Sequence, residues 1–338
     1  MSGAPTVEDI VKDARWLIQA LDPTGELVRV VDLDRNGYRS ASFLDDRMFQ
    51  SPLTTHVAHW SQIVEAIPAN ARRDARWIFH IGHVGSTLLA RLLGEFAGVL
   101  SIREPRILRD VTGMPDEKRG RYTEPLKALL SRTFAESETA LVKATSFASE
   151  IAPALLAPGT RCLFMYASPR AYIQTILAGD NSREEMRVLA ESRAARLSGR
   201  VPSLARPVES EAHLAAVAWA CEMTSLEAAA QAASEAQVAW VDFDRMLADV
   251  EEQLREAAAL LGFTADPDLV RKTANGPLMR RYSKALEYDY SPALRKELLA
   301  EAGRFHGRDI DSAIAMLARA AENAPLLASA LQRAKPEN

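Results

Sequence analysis

Apolar and polar positions fall in blocks along this chain, and the blocks read in turn as helix and strand. Residues 7–21 place Ile10, Val11, Ala14, Leu17, Ile18 and Leu21 at helical spacing, and the pattern stops at Asp22-Pro23-Thr24-Gly25. Residues 27–34 read as a strand with the turn signal Asn36-Gly37 behind it, so these runs can form a hairpin beside a main sheet. Residues 56–67 return to a helical period, and Pro68-Ala69-Asn70 with Arg72 and Arg73 closes the section. Beyond it, W-I-F-H-I at 77–81 is a near-continuous apolar run, as a strand covered on both faces requires. Further strands are expected at 99–102, 140–143, 161–167 and 237–242. Helical patterns are expected at 183–200, 211–236 and 245–261, the last ended by Gly262. Residues 110–139 are polar and read as a mobile cover, and the chain after 265 reads as helical apart from N-G-P-L-M-R-R-Y-S-K at 275–284. Alternation of this kind predicts an α/β fold whose central, mainly parallel sheet has five strands and carries helices on both faces. Residues 1–75 are expected as an N-terminal extension packed on a core at 76–265, with 266–338 as a helical C-terminal segment.

Composition narrows the class. Of 338 residues, 48% are apolar, enough for a core, and no apolar run is long enough to cross a bilayer. Glu8, Asp9 and Asp13 interrupt the first twenty residues, which therefore do not read as an export signal. The two cysteines, Cys162 and Cys221, read as buried reduced thiols, so a cytoplasmic protein is expected. A net charge of −4 argues against a general nucleic-acid or membrane binder. His56 and His59 can share a helix face, but no further ligand lies near them in sequence to complete a metal site.

Candidate chemistry gathers where the strands end. Gly82 and Gly85 bracket a tight turn after the 77–81 strand, and Ser86 and Thr87 open a helix with Leu88, Leu89, Leu92, Leu93 and Phe96 on one face. Such a helix N-terminus presents unpaired N–H groups and a partial positive charge to an anion. Glu104 with Arg103 and Arg106, Lys143 with Thr145, and Ser168 with Arg170 follow the next three strands, where ligands collect in open parallel sheets. A Walker loop would place lysine after its second glycine, but Ser86 follows Gly85, and the dinucleotide-binding glycine spacing is absent.

The pattern resembles the sulfotransferase superfamily, whose phosphosulfate loop Gly82-His83-Val84-Gly85-Ser86-Thr87 matches. The resemblance covers roughly 77–178 and 237–263 and includes the tyrosylprotein branch, where a glutamate base lies at the offset of Glu104 and an arginine at that of Arg106. It implies a three-layer P-loop-like fold and 3′-phosphoadenosine 5′-phosphosulfate as cosubstrate. The sulfuryl group would pass to an acceptor hydroxyl or amine that the sequence does not identify, with no metal required. On this resemblance Glu104 is the base, Lys143 contacts the transferring group, and His83 takes the loop's basic position. Gly82, His83, Val84, Gly85, Ser86, Thr87, Arg106, Arg170, Thr175, Ser283 and Lys284 are the implied cofactor-binding residues, and a monomer or homodimer is expected. Ala167 stands where the family carries an arginine for the 3′-phosphate, and Arg170, Arg280, Arg281 and Lys284 are candidates to make good that charge. Two other readings stay open at this point. One is a nucleotide-dependent kinase with Asp242 as its magnesium ligand. The other is a nucleotide-binding relative that performs no transfer.

Overall fold

In the computed structural model, which describes residues 4–50, 52–208, 210–281 and 291–335, the chain builds two sheets. The first is antiparallel, with β1 (Trp16–Leu21), β2 (Leu27–Asp32) and β3 (Thr55–His59) side by side in that order. The second holds β4 (Arg76–His80), β5 (Val99–Arg103), β6 (Thr139–Lys143), β7 (Arg161–Tyr166) and β8 (Gln237–Asp242). Its order is β5-β6-β4-β7-β8 and every neighbouring pair is parallel, so the α/β fold with a five-stranded parallel sheet is as expected.

Register explains the core. It sets Phe79 opposite Phe164 and Phe164 opposite Trp240, and the rings meet edge to face at 5.8 and 5.1 Å. The Ser86–Leu93 and Val250–Leu261 helices pack against each other and the sheet, while the Glu211–Ala232 helix packs with Pro169–Leu177. The chain steps from β4 out to β5, returns to β6, then crosses to β7. That reversal opens a crevice at the carboxyl ends of β4 and β6.

Several local expectations differ. The helix expected over 7–21 is only Val7–Lys12, opened by a capping box between Thr6 and Asp9 and ended at Asp13, and residues 16–21 form β1. All six β1 side chains are buried, a two-sided burial that helical spacing of Leu17, Ile18 and Leu21 did not reveal. The hairpin turn is Asp22–Gly25 between β1 and β2, whereas Asn36-Gly37 lies inside the Arg35–Ser40 helix capped by Asp34. Residues 55–59 are strand, so His56 and His59 fall on opposite faces. The polar 110–139 segment is largely helical and docked, because Tyr122, Leu126 and Leu129 of the Asp116–Leu129 helix are buried, with Tyr122 packed on Trp60. The arginines of the 183–200 stretch are drawn into ion pairs. Arg196 and Arg200 pair with Glu150, Arg196 also pairs with the buried Glu222, and Arg187 pairs with Glu211.

Candidate active site

A cavity of about 830 Å³ lies over the crevice, within the size range of small-molecule sites. Its floor is the turn after β4. Gly82, His83 and Gly85 all have positive φ, and Gly85 caps the Ser86–Leu93 helix with no side chain capping it. The helix's first N–H groups therefore point into the cavity unclaimed by a capping side chain. A Cβ on Gly85 would lie 2.1 Å from the Phe243 ring, so glycine is required there by packing as well as by its φ of +66°. Thr87 is 2% exposed, and its hydroxyl has no hydrogen-bond partner among the described residues. A buried, unsatisfied hydroxyl beside an uncapped helix end is what an anion-binding cradle looks like when built from these residues.

His80, the last residue of β4, fixes the start of the turn. Its Nδ1 accepts from the Gly82 N–H at 2.9 Å and its Nε2 faces the Ala144 carbonyl at 2.9 Å. A carbonyl only accepts, so Nε2 carries the proton and the tautomer is set.

Glu104 stands at the end of β5 with φ +51°, a left-handed conformation uncommon for a residue before proline. Its N–H is tied to the Lys143 carbonyl at 2.7 Å. The side chain is held on both oxygens: Oε1 by the Lys143 ammonium, Oε2 by Arg47 at 2.9 Å, with His80 Nε2 3.9 Å from Oε1. Lys143 is 1% exposed and also lies over the Phe43 ring. Arg47 stacks on Phe43 and is bidentate to Asp45. Burial works against its charge, but Asp45 and Glu104 outweigh that and hold its pKa above the ordinary arginine value. Phe43, Asp45 and Arg47 all come from the segment between β2 and β3, which sequence patterns had not connected to the site.

Elsewhere in the lining, Thr175 donates to the Ala171 carbonyl and accepts from Arg295 Nη1 at 3.1 Å. Arg295, on the Pro292–Ala321 helix, is 7% exposed, bonds Asp244 at 2.8 Å through Nη2 and lies over the Phe243 ring. Its Nε has no partner among the described residues. No sequence signal marks Arg295, because only the fold carries a residue 120 positions downstream to Thr175. Ala167 is buried, its carbonyl accepting from Trp219.

The cavity thus brings together the 82–87 turn, Glu104, Lys143, Thr175 and Arg281. His83 lines it while pairing with Glu185 at 3.3 Å. Three expected contributors, Arg106, Arg170 and Arg280, lie outside the lining. Arg106 turns to Asp46 and Asp110, and Arg170 pairs at the surface with Asp311. Ser283 and Lys284 fall outside the described residues. Asp242, the residue a kinase reading needs, is spent as the N-cap of the Phe243–Ala248 helix, accepting from the N–H groups of Asp244 and Arg245.

No protein-family model matches the chain, and no curated protein does. Among solved structures it is similar to the sulfotransferase domain from the curacin biosynthetic pathway, with 13% identity, a TM-score of 0.40, and coverage of 67% of this chain and 87% of that one. Mouse sulfotransferase SULT7A1 complexed with PAP is also similar, at 13% identity and TM-score 0.39, covering 78% and 89%. So is the sulfotransferase domain from the Synechococcus PCC 7002 olefin synthase, at 13% identity and TM-score 0.40, covering 68% and 89%.

Proposed function

We propose that the cavity binds 3′-phosphoadenosine 5′-phosphosulfate and transfers its sulfuryl group to an acceptor hydroxyl or amine. The observation that carries this reading is the pair of buried, unsatisfied donors, Thr87 Oγ1 and Arg295 Nε, on two residues that line one cavity. They suit a ligand with two separated anionic groups. In this reading the phosphosulfate lies at the uncapped helix start, and the 3′-phosphate lies at Arg295 Nε, beside the Arg295–Thr175 hydrogen bond. Arg295 thereby supplies from the C-terminal segment the charge that Ala167 removes.

For a hydroxyl acceptor, its oxygen attacks sulfur in line. The new S–O bond forms as the bond from sulfur to the nucleotide's bridging oxygen breaks, and 3′,5′-adenosine bisphosphate leaves with the electron pair. Negative charge grows on that bridging oxygen, where the N–H groups of 85–87, Thr87 and the Lys143 ammonium offer fixed donors. The acceptor's proton passes to Glu104, a role worth about 10²–10⁴-fold. The Lys143–Glu104 ion pair is then the resting arrangement: a donor drawing Lys143 toward the sulfuryl group frees Oε1 to act as base while Arg47 keeps Oε2.

Purified protein is expected to gain melting temperature with 3′,5′-adenosine bisphosphate and not with Mg-ATP. The reverse preference would transfer the site to phosphoryl chemistry. Stabilisation by the bisphosphate with no donor turnover across an acceptor panel would leave a binding protein.

A further inference from the structure

Six large apolar side chains are exposed among the described residues, and three of them, Val188 (70%), Leu294 (40%) and Leu298 (40%), line this one cavity. A fourth, Phe305, is 75% exposed and lies two turns beyond Leu298 on the same helix. At 100° per residue, Leu294, Leu298 and Phe305 fall within about 40° of one another, one stripe running outward from the cavity. Leu189 continues the lining beside Val188. Exposed apolar side chains scattered singly need no explanation, but a contiguous set at the rim of a cavity marks a contact surface. The cavity is polar where Glu104 and Lys143 meet and apolar at this rim.

We propose that the acceptor is an amphiphile: a hydroxyl carried on a hydrocarbon tail, with the tail lying along Val188, Leu294 and Leu298. The proposal rests on the transferase reading above and gives that reading a substrate class. A membrane surface is the less suitable occupant, because Lys296, Glu297, Glu301 and Arg304 mix both charge signs along this helix and the chain carries a net charge of −4.

Calorimetric titration of the full chain with 1-butanol, 1-hexanol and 1-octanol reads the tail site without requiring turnover. Affinity is expected to rise about fourfold for each added CH₂. The Val188→Ser, Leu298→Ser double variant, changed at exposed positions only, should flatten the series. A flat series in the unaltered protein, or a rise that survives in the variant, overturns the proposal. So does binding to phosphatidylcholine vesicles that the same variant loses, since that assigns the stripe to a membrane. Titrating the same samples with 3′,5′-adenosine bisphosphate separates the two readings. An intact alkanol series without nucleotide binding supports the tail site and counts against the sulfuryl donor alone.

Discussion

Glu104 and Arg295 show how differently two residues of one site are encoded. Glu104 sits one step past a strand and 19 positions after Gly85, so strand ends and local offsets make it legible. The same holds for the 82–87 turn, Lys143 and Thr175. Arg295 has no such address, and Arg47 shares its obscurity, because the contacts of Arg295 with Thr175 and of Arg47 with Glu104 are fixed by packing between elements far apart in sequence. Glu104→Gln should abolish transfer while leaving 3′,5′-adenosine bisphosphate affinity within about twofold, by labelled-donor assay and calorimetry. Equal loss of melting temperature would mark Glu104 as structural. The cysteines offer a separate check. Burial pushes both thiols up to about 12, so neither should react with a thiol reagent at pH 8 until the protein is denatured.

At the scale of elements, strand–turn–helix units of the parallel sheet follow from sequence, because each strand is a short apolar run that ends in polar residues. The antiparallel sheet is harder to read. Leu17, Ile18 and Leu21 satisfy a helical period and a buried strand alike, and pairing with β2 decides between them. The turn that joins these strands is tied by Asp22, whose carboxyl is held down at about 2 by the Thr24 hydroxyl and the N–H groups of Leu27, Glu26 and Gly25. A lowered pKa means that the folded form prefers the ionised group. This contribution to stability is therefore present above 3.8 and lost as pH falls through about 2. An NMR titration of Asp22 should give that low midpoint, and an ordinary carboxylate midpoint would show that the turn is not tied this way. In the turn after β4, Gly85→Ala forces a side chain into a left-handed residue and against Phe243. A loss of about 2 kcal/mol or more is expected by chemical denaturation, and Phe243→Ala should recover part of it by removing the clash.

Across the whole molecule, three parts of the chain meet at the cavity. The parallel sheet contributes the 82–87 turn and the Glu104–Lys143 pair, the segment between β2 and β3 contributes Arg47, and the long C-terminal helix contributes Arg295. Arg47→Met should lower kcat about tenfold with nucleotide affinity preserved, since it touches the Glu104 carboxylate and not the helix end. A matching loss of nucleotide affinity would show that the N-terminal part supports the cradle instead. The pairing of these parts is what single-sequence patterns conceal: each is legible as an element, and only the fold makes them neighbours.

The most decisive comparison is the affinity of the full chain for 3′,5′-adenosine bisphosphate against 5′-AMP, in the unaltered protein and in Arg295→Met. A charged hydrogen bond to the 3′-phosphate is worth about 1.5–3 kcal/mol, so the unaltered protein should prefer the bisphosphate by about ten- to a hundredfold. Arg295→Met should lose most of that preference while binding 5′-AMP as before. Equal affinity for the two nucleotides in the unaltered protein, or a preference undiminished by the substitution, would contradict the assignment of this cavity to a 3′-phosphorylated sulfuryl donor.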